Sequence, residues 1–172
     1  MKISITKGDV ADSIEALRAD GSAVRTTFPH KGPIPHDAVH FFVESGLGIG
    51  DAFWGLVESG RHPEEVQDLA KAAGHASASR TSKPASYFVP VIQAERIVEC
   101  FEADLWGGGG DPDMLRAMVR SGCEQSLVPV FPLTDAAIQS VRKNIADFRE
   151  QWEALPAGAT YVLDWGARQD DA

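Results

Sequence analysis

Polar and apolar residues alternate through residues 2–7, the two-residue period of a strand with one buried face. The same period returns over 13–18 and 23–28, and Ala19-Asp20-Gly21-Ser22 lies between them. Asp-Gly supplies the positive-φ positions of a tight hairpin turn, so these two segments are expected to pair. The run Ser13-Ile14-Glu15-Ala16-Leu17 also fits the start of a helix, which is the competing reading there. Beyond the loop 29–35 the period lengthens to that of helices. Pro35 opens one that reaches about Ser45 before Gly46, and Asp51 is placed to cap a short one over 52–59 ahead of Gly60. Pro63-Glu64-Glu65 begins a third, stopping at Gly74. A longer helix spans about 90–106 and breaks at Gly107–Gly110. Asp111-Pro112 starts the next, ending near Gly122, and Thr134 caps the last, which runs to about Leu155 before Pro156-Ala157-Gly158. Residues 160–165 alternate again in a β-rich composition and should join the N-terminal strands. Strands at both ends of a helical middle predict an α+β fold. A small antiparallel sheet from the N-terminal strands and a C-terminal strand is covered by five or six helices.

A length of 172 residues suits one globular domain with an adequate core. Within it, 76–86 is small and polar and is expected to be a mobile loop, as are the glycines 107–110; the acidic tail 167–172 should fray. Ile138, Val141, Ile145, Phe148, Trp152 and Leu155 form a stripe along the last helix. It is expected to cover the sheet in a monomer, the alternative being the seam of a homodimer.

Charge narrows the partners. The net charge is −9, with 25 acidic against 16 basic residues. Arg142, Lys143 and Arg149 share a helix, but Asp147, Glu150 and Glu153 are interleaved with them. Without a basic cluster neither nucleic acid nor an anionic membrane surface is expected as a partner. No apolar stretch approaches the roughly 20 residues that span a bilayer, and the N-terminus lacks the apolar core of a signal peptide. Cys100 and Cys123 stand far apart, with no cationic neighbour to activate them. They are expected to be reduced, buried and inert, in a soluble cytoplasmic protein.

Candidate chemistry concentrates in Pro35-His36-Asp37-Ala38-Val39-His40-Phe41-Phe42-Val43-Glu44. On a helix His36, His40, Glu44 and Asp37 fall within an arc of about 100°, with Phe41, Phe42, Val39 and Val43 on the other side. Two His at i, i+4 can converge on one ion such as zinc, as in H-E-x-x-H proteases, where the Glu is general base. Here Asp37 takes the place of that Glu and is one methylene shorter. Glu44 lies about 12 Å from His36 along the axis, too far to complete the same site. A third ligand would come from His62, His75, Glu99 or Asp104, none at a distinguishing spacing, and it is expected to be missing. The competing reading is structural: Asp37 complements the positive helix end, and the imidazoles bond to backbone.

The segment Pro35-His36-Asp37-x-x-His40-Phe41-x-Val43-Glu44, followed by Gly46-Leu47-Gly48 and Phe53-Trp54-Gly55, resembles a group of small uncharacterised bacterial proteins. In these a short strand region likewise precedes the P-H-D-x-x-H-F-x-V-E run. The resemblance covers residues 33–60 and implies no activity.

Two further features are given bland readings. Gly107–Gly110 runs into a helix, but Asp111 and Asp113 would repel phosphate, so a flexible connector is expected. Glu95, Glu99 and Glu102 form one stripe, expected to be a solvated surface with Ile97, Val98, Phe101 and Leu105 inward. Two functions follow. The first is a non-enzymatic binding module, contacting a protein or small-molecule partner through the polar arc of 35–45 and the loop 76–86. The second is a divalent-metal hydrolase with His36 and His40 as ligands and Asp37 as base.

Overall fold

The computed structural model describes residues 1–30, 32–72 and 83–166. The sheet consists of β1 (Lys2–Thr6), β2 (Ala11–Leu17), β3 (Ala23–Pro29) and β4 (Thr160–Asp164), in the order β3-β2-β1-β4. All neighbours are antiparallel, and β1 is flanked by β2 and by the C-terminal strand. The register places Ile3 opposite both Ala16 and Leu163, and Ile5 opposite Ile14. These five side chains are buried, so the two-residue period carries one apolar face onto the helices. Residues 13–17 are strand, not helix, because Ile14 and Ala16 complete that face. Gly21 has φ +83°, and the turn closes through Arg18 N–H to the Ser22 carbonyl.

Six helices follow: α1 (His36–Leu47), α2 (Phe53–Glu58), α3 (Pro63–Ala72), α4 (Val89–Trp106), α5 (Pro112–Gln125) and α6 (Asp135–Ala154), with a 3-10 turn at Ser86–Phe88. The fold is therefore α+β, with three N-terminal strands and one C-terminal strand. Of the predicted caps, Thr134 accepts from Ala137 N–H and Asp111 from Asp113 N–H. Asp51 caps nothing: α2 begins at Phe53, and its first N–H groups are taken by Glu44 of α1. Gly122 does not end α5, which continues to Gln125; it faces the Arg96 side chain, whose Cδ would stand 3.4 Å from an added Cβ, an ordinary contact.

α1 lies between α4 and α6, and its Ala38, Val39 and Val43 are fully enclosed. Its close approach to α6 depends on Gly46, where a Cβ would come within 2.8 Å of Val141. Ile138, Val141, Ile145, Phe148 and Trp152 of α6 are buried inside their own chain, as core rather than seam. The glycine connector is exposed but hydrogen-bonded to the end of α4. Gly109 and Gly110 donate to the Asp104 carbonyl and carboxylate, and Asp104 is itself gripped by Arg142 of α6. Of the segment 76–86, residues 76–82 lie outside the described residues, and so does the tail 167–172. No helix among the described residues is long and apolar enough to cross a membrane.

Candidate metal centre

Helical spacing puts His36 and His40 one turn apart on the same side of α1, and packing then turns that side inward. Asp37, His40 and Glu44 are all buried, with His40 at 2% and Glu44 at 0% exposure. A buried carboxylate needs donors, and Glu44 has three. Its Oε1 lies 2.9 Å from His40 Nδ1 and accepts from Phe53 N–H at 3.1 Å, while Oε2 accepts from Trp54 N–H at 2.9 Å. The Trp54 indole donates in turn to the Asp37 carbonyl at 3.0 Å, tying α2 to the first turn of α1. His36 Nδ1 lies 2.8 Å from Glu102 Oε1 of α4.

An ionised carboxylate only accepts, so each Nδ1 carries a proton and each Nε2 is turned toward the other ring. The two Nε2 atoms stand 3.2 Å apart. A single oxygen of Glu95, Oε2, completes the triangle, 3.6 Å from His40 Nε2 and 3.9 Å from His36 Nε2. Three ligand-type atoms thus surround one point. Tetrahedral zinc with bonds near 2.0–2.1 Å separates its ligand atoms by about 3.3 Å. The observed edges of 3.2, 3.6 and 3.9 Å bracket that figure, the longest exceeding it by about 0.6 Å, and His36, His40 and Glu95 are a group that could hold a metal ion. The engagement of each remaining imidazole nitrogen by a carboxylate is the arrangement that fixes tautomer and orientation at metal sites.

The electrostatics express the same crowding. Burial disfavours a charged His40, but Glu95 and Glu44 more than offset it and hold its pKa well above the ordinary 6.5. His36 shifts upward too, with Glu102 and Glu95 outweighing burial and the repulsion of His40. Burial pushes Glu95 toward the neutral acid, yet the two imidazoles hold it far below the usual carboxylate range. Glu44 moves upward because complete burial outweighs the donors that face it.

Two recesses reach the triangle. One, of about 80 Å³, is bounded by His36, His40, Glu95 and Asp37 together with Gln67 and Lys71 of α3. The other, of about 280 Å³, opens between α4 and residues 32–34, and Trp106 lies at its edge.

The third ligand-type residue is therefore present, contrary to expectation, and it is none of the four candidates. His62 is turned to the start of α3, where its Nδ1 accepts from Glu64 N–H. Glu99 pairs with Arg96 and Asp104 with Arg142, while His75 lies outside the described residues. The stripe 95–99–102 is not uniformly solvated. α4 packs on α1, so the Glu95 side chain is only 13% exposed and Glu102 30%, leaving Glu99 at 45% on the outer edge. The available signal was the i, i+7 spacing of Glu95 and Glu102, which puts two carboxylates on one side of a helix two turns apart. Nothing in the sequence says that this side meets the His-bearing helix. Asp37 borders the small recess but is not one of the three converging groups.

Comparison with known protein families, with curated proteins and with solved structures gave no match.

Proposed function

We propose that this protein is a divalent-metal hydrolase whose ion is held by His36, His40 and Glu95. One observation carries the reading: three ligand-type atoms from two helices converge at 3.2–3.9 Å. Two His and one Glu form a donor set used by catalytic zinc, which leaves a further position for water or substrate. Such an ion would lower the pKa of its bound water and polarise a carbonyl oxygen. Asp37, in the same small recess, is placed to accept the proton that this water releases. Glu44 and Glu102 keep both Nε2 lone pairs directed inward.

The alternative of a binding module using the polar arc of α1 loses its surface, because Asp37, His40 and Glu44 are enclosed. Buried free thiols at Cys100 and Cys123 support a reducing, cytoplasmic setting, and the enclosure of the α6 stripe supports a monomer.

Elemental analysis of purified protein tests the reading. One divalent ion per chain is expected, lost in the His36→Ala, His40→Ala double variant. Hydrolysis of a panel of activated esters and amides should then depend on the ion, and Asp37→Asn should keep the ion while losing turnover. Equal metal content in wild type and double variant would end the proposal. Iron in place of zinc would redirect the chemistry to oxygen activation, which the same donor set serves.

A further inference from the structure

The larger recess beside the triangle is polar on one wall and apolar on the other. Glu95, Glu99 and Glu102 come from α4; Ile34, Leu105 and Trp106 supply the apolar part. Among the described residues no Lys or Arg lines it. Trp106 is 67% exposed, unusual for a tryptophan, and its ring rests on Gly32, where a Cβ would stand 3.3 Å from Cζ2. It is thereby held at the mouth with much of its surface free. Glu102 uses Oε1 for His36, and no partner for its Oε2 is found among the described residues.

Charge decides what can enter. A divalent ion brings two positive charges and Lys71, at the small recess, a third, but Glu95, Glu44, Glu102 and Asp37 bring four negative ones. Even loaded, the centre stays negative. A phosphate or carboxylate entering by this recess would meet repulsion, with no guanidinium or ammonium among the described lining residues to receive it and Arg96 engaged by Glu99. A cation would find a carboxylate oxygen and an aromatic face.

Resting on the metal reading above, we infer that the substrate is an amide or ester bearing a nearby ammonium group, which binds between the Trp106 ring and Glu102. Glu102 lies one hydrogen bond and one imidazole ring from the point on which His36, His40 and Glu95 converge, about 7 Å. An ammonium on Glu102 would therefore be a few bonds from a carbonyl held at that point, and the small recess with Asp37 would be left for water.

The test needs no turnover. A hydroxamate chelates the ion, so β-alanine hydroxamate and its uncharged isostere butyrohydroxamate differ only in an ammonium replacing a methyl. Calorimetry on the zinc-loaded full chain should show the ammonium form binding about tenfold tighter. Trp106→Ala and Glu102→Gln should each reduce that preference to about threefold or less; butyrohydroxamate affinity should be little changed in Trp106→Ala, while Glu102→Gln, which also touches His36, is read only from the ratio of the two probes on chain confirmed to hold zinc. Trp106 is exposed, so its variant should fold, and Gln at 102 can still accept from His36. Equal affinity of the two probes, or tighter butyrohydroxamate, overturns the ammonium site while leaving the metal reading intact. If the protein takes up no zinc and neither probe binds, both readings fall together. A preference that persists undiminished in both variants also overturns the assignment.

Discussion

His36 and His40 face one another through their Nε2 atoms at 3.2 Å, while the opposite nitrogen of each ring is engaged by a carboxylate, Glu102 for His36 and Glu44 for His40. Two lone pairs at that distance repel unless something positive lies between them. A proton on one Nε2 meets the need and makes the contact a hydrogen bond; a metal ion at the same point would also engage Glu95.

The carboxylates behind the rings should matter to metal retention almost as much as the ligands do. Glu44→Gln is expected to weaken metal binding about 10- to 100-fold. It also removes charge from the group that caps α2, so stability should fall by about 1–3 kcal/mol. Competition with a chromogenic chelator, run beside thermal melts, separates the two effects; unchanged metal affinity would show that Glu44 serves only α2.

Metal binding should release protons. His40 is held well above pKa 6.5, so at neutral pH the metal-free pair carries a proton that the ion must displace. Affinity is expected to climb between about pH 6 and 8, with roughly one proton released per ion. Calorimetry in buffers of different ionisation enthalpy measures this directly, and an affinity flat across that range would contradict it.

In the absence of metal the sign reverses. His40 has a raised pKa in the folded protein, so its contribution is full below its unfolded value of 6.5 and is lost as pH rises through the folded value. Glu95 has a depressed pKa, so its contribution is present above 4.5 and is lost as acid protonates the folded state. The metal-free melting temperature should therefore benefit most from the pair between about pH 4.5 and 6.5. His40→Asn should flatten that dependence; an identical profile in the variant would mean the pair contributes nothing.

Gly55 should tolerate no side chain. A Cβ there would lie 1.6 Å from the Gly50 carbonyl oxygen, and backbone cannot yield as a flexible side chain does. Gly55→Ala must move the 50–55 turn, which delivers the Phe53 and Trp54 N–H groups to Glu44. Loss of more than 3 kcal/mol in a denaturant titration, with weakened metal binding, is expected.

Phe148 sits among Phe42, Trp152 and Tyr161, with ring centroids 4.9–5.6 Å away, and is 1% exposed. Phe148→Ala should cost about 3–5 kcal/mol. Its melting temperature and that of the wild type should not depend on protein concentration. A rise with concentration would show that α6 also forms a seam between subunits.

Much of the fold was legible because local physics decides it. The alternation in 2–7 and 160–165, the Asp-Gly turn at 20–21 and the caps Thr134 and Asp111 each act within a few residues of themselves. The His36–His40 pair was legible for the same reason, since i, i+4 spacing is a property of one helix. What lay beyond reach depends on which surfaces meet. Glu95 has the sequence surroundings of a solvated residue, and only the packing of α4 on α1 brings its oxygen to two imidazoles from a segment more than fifty positions earlier. Asp51 stands where a cap belongs, yet Glu44 takes the N–H groups of α2 from across a helix boundary. Gly122 looks like a terminator but lies inside α5, facing Arg96. Periodicity and capping are short-range and are written in neighbouring residues. The convergence of a third acceptor on a buried point is set by how two faces dock, and that is decided only when the whole core closes.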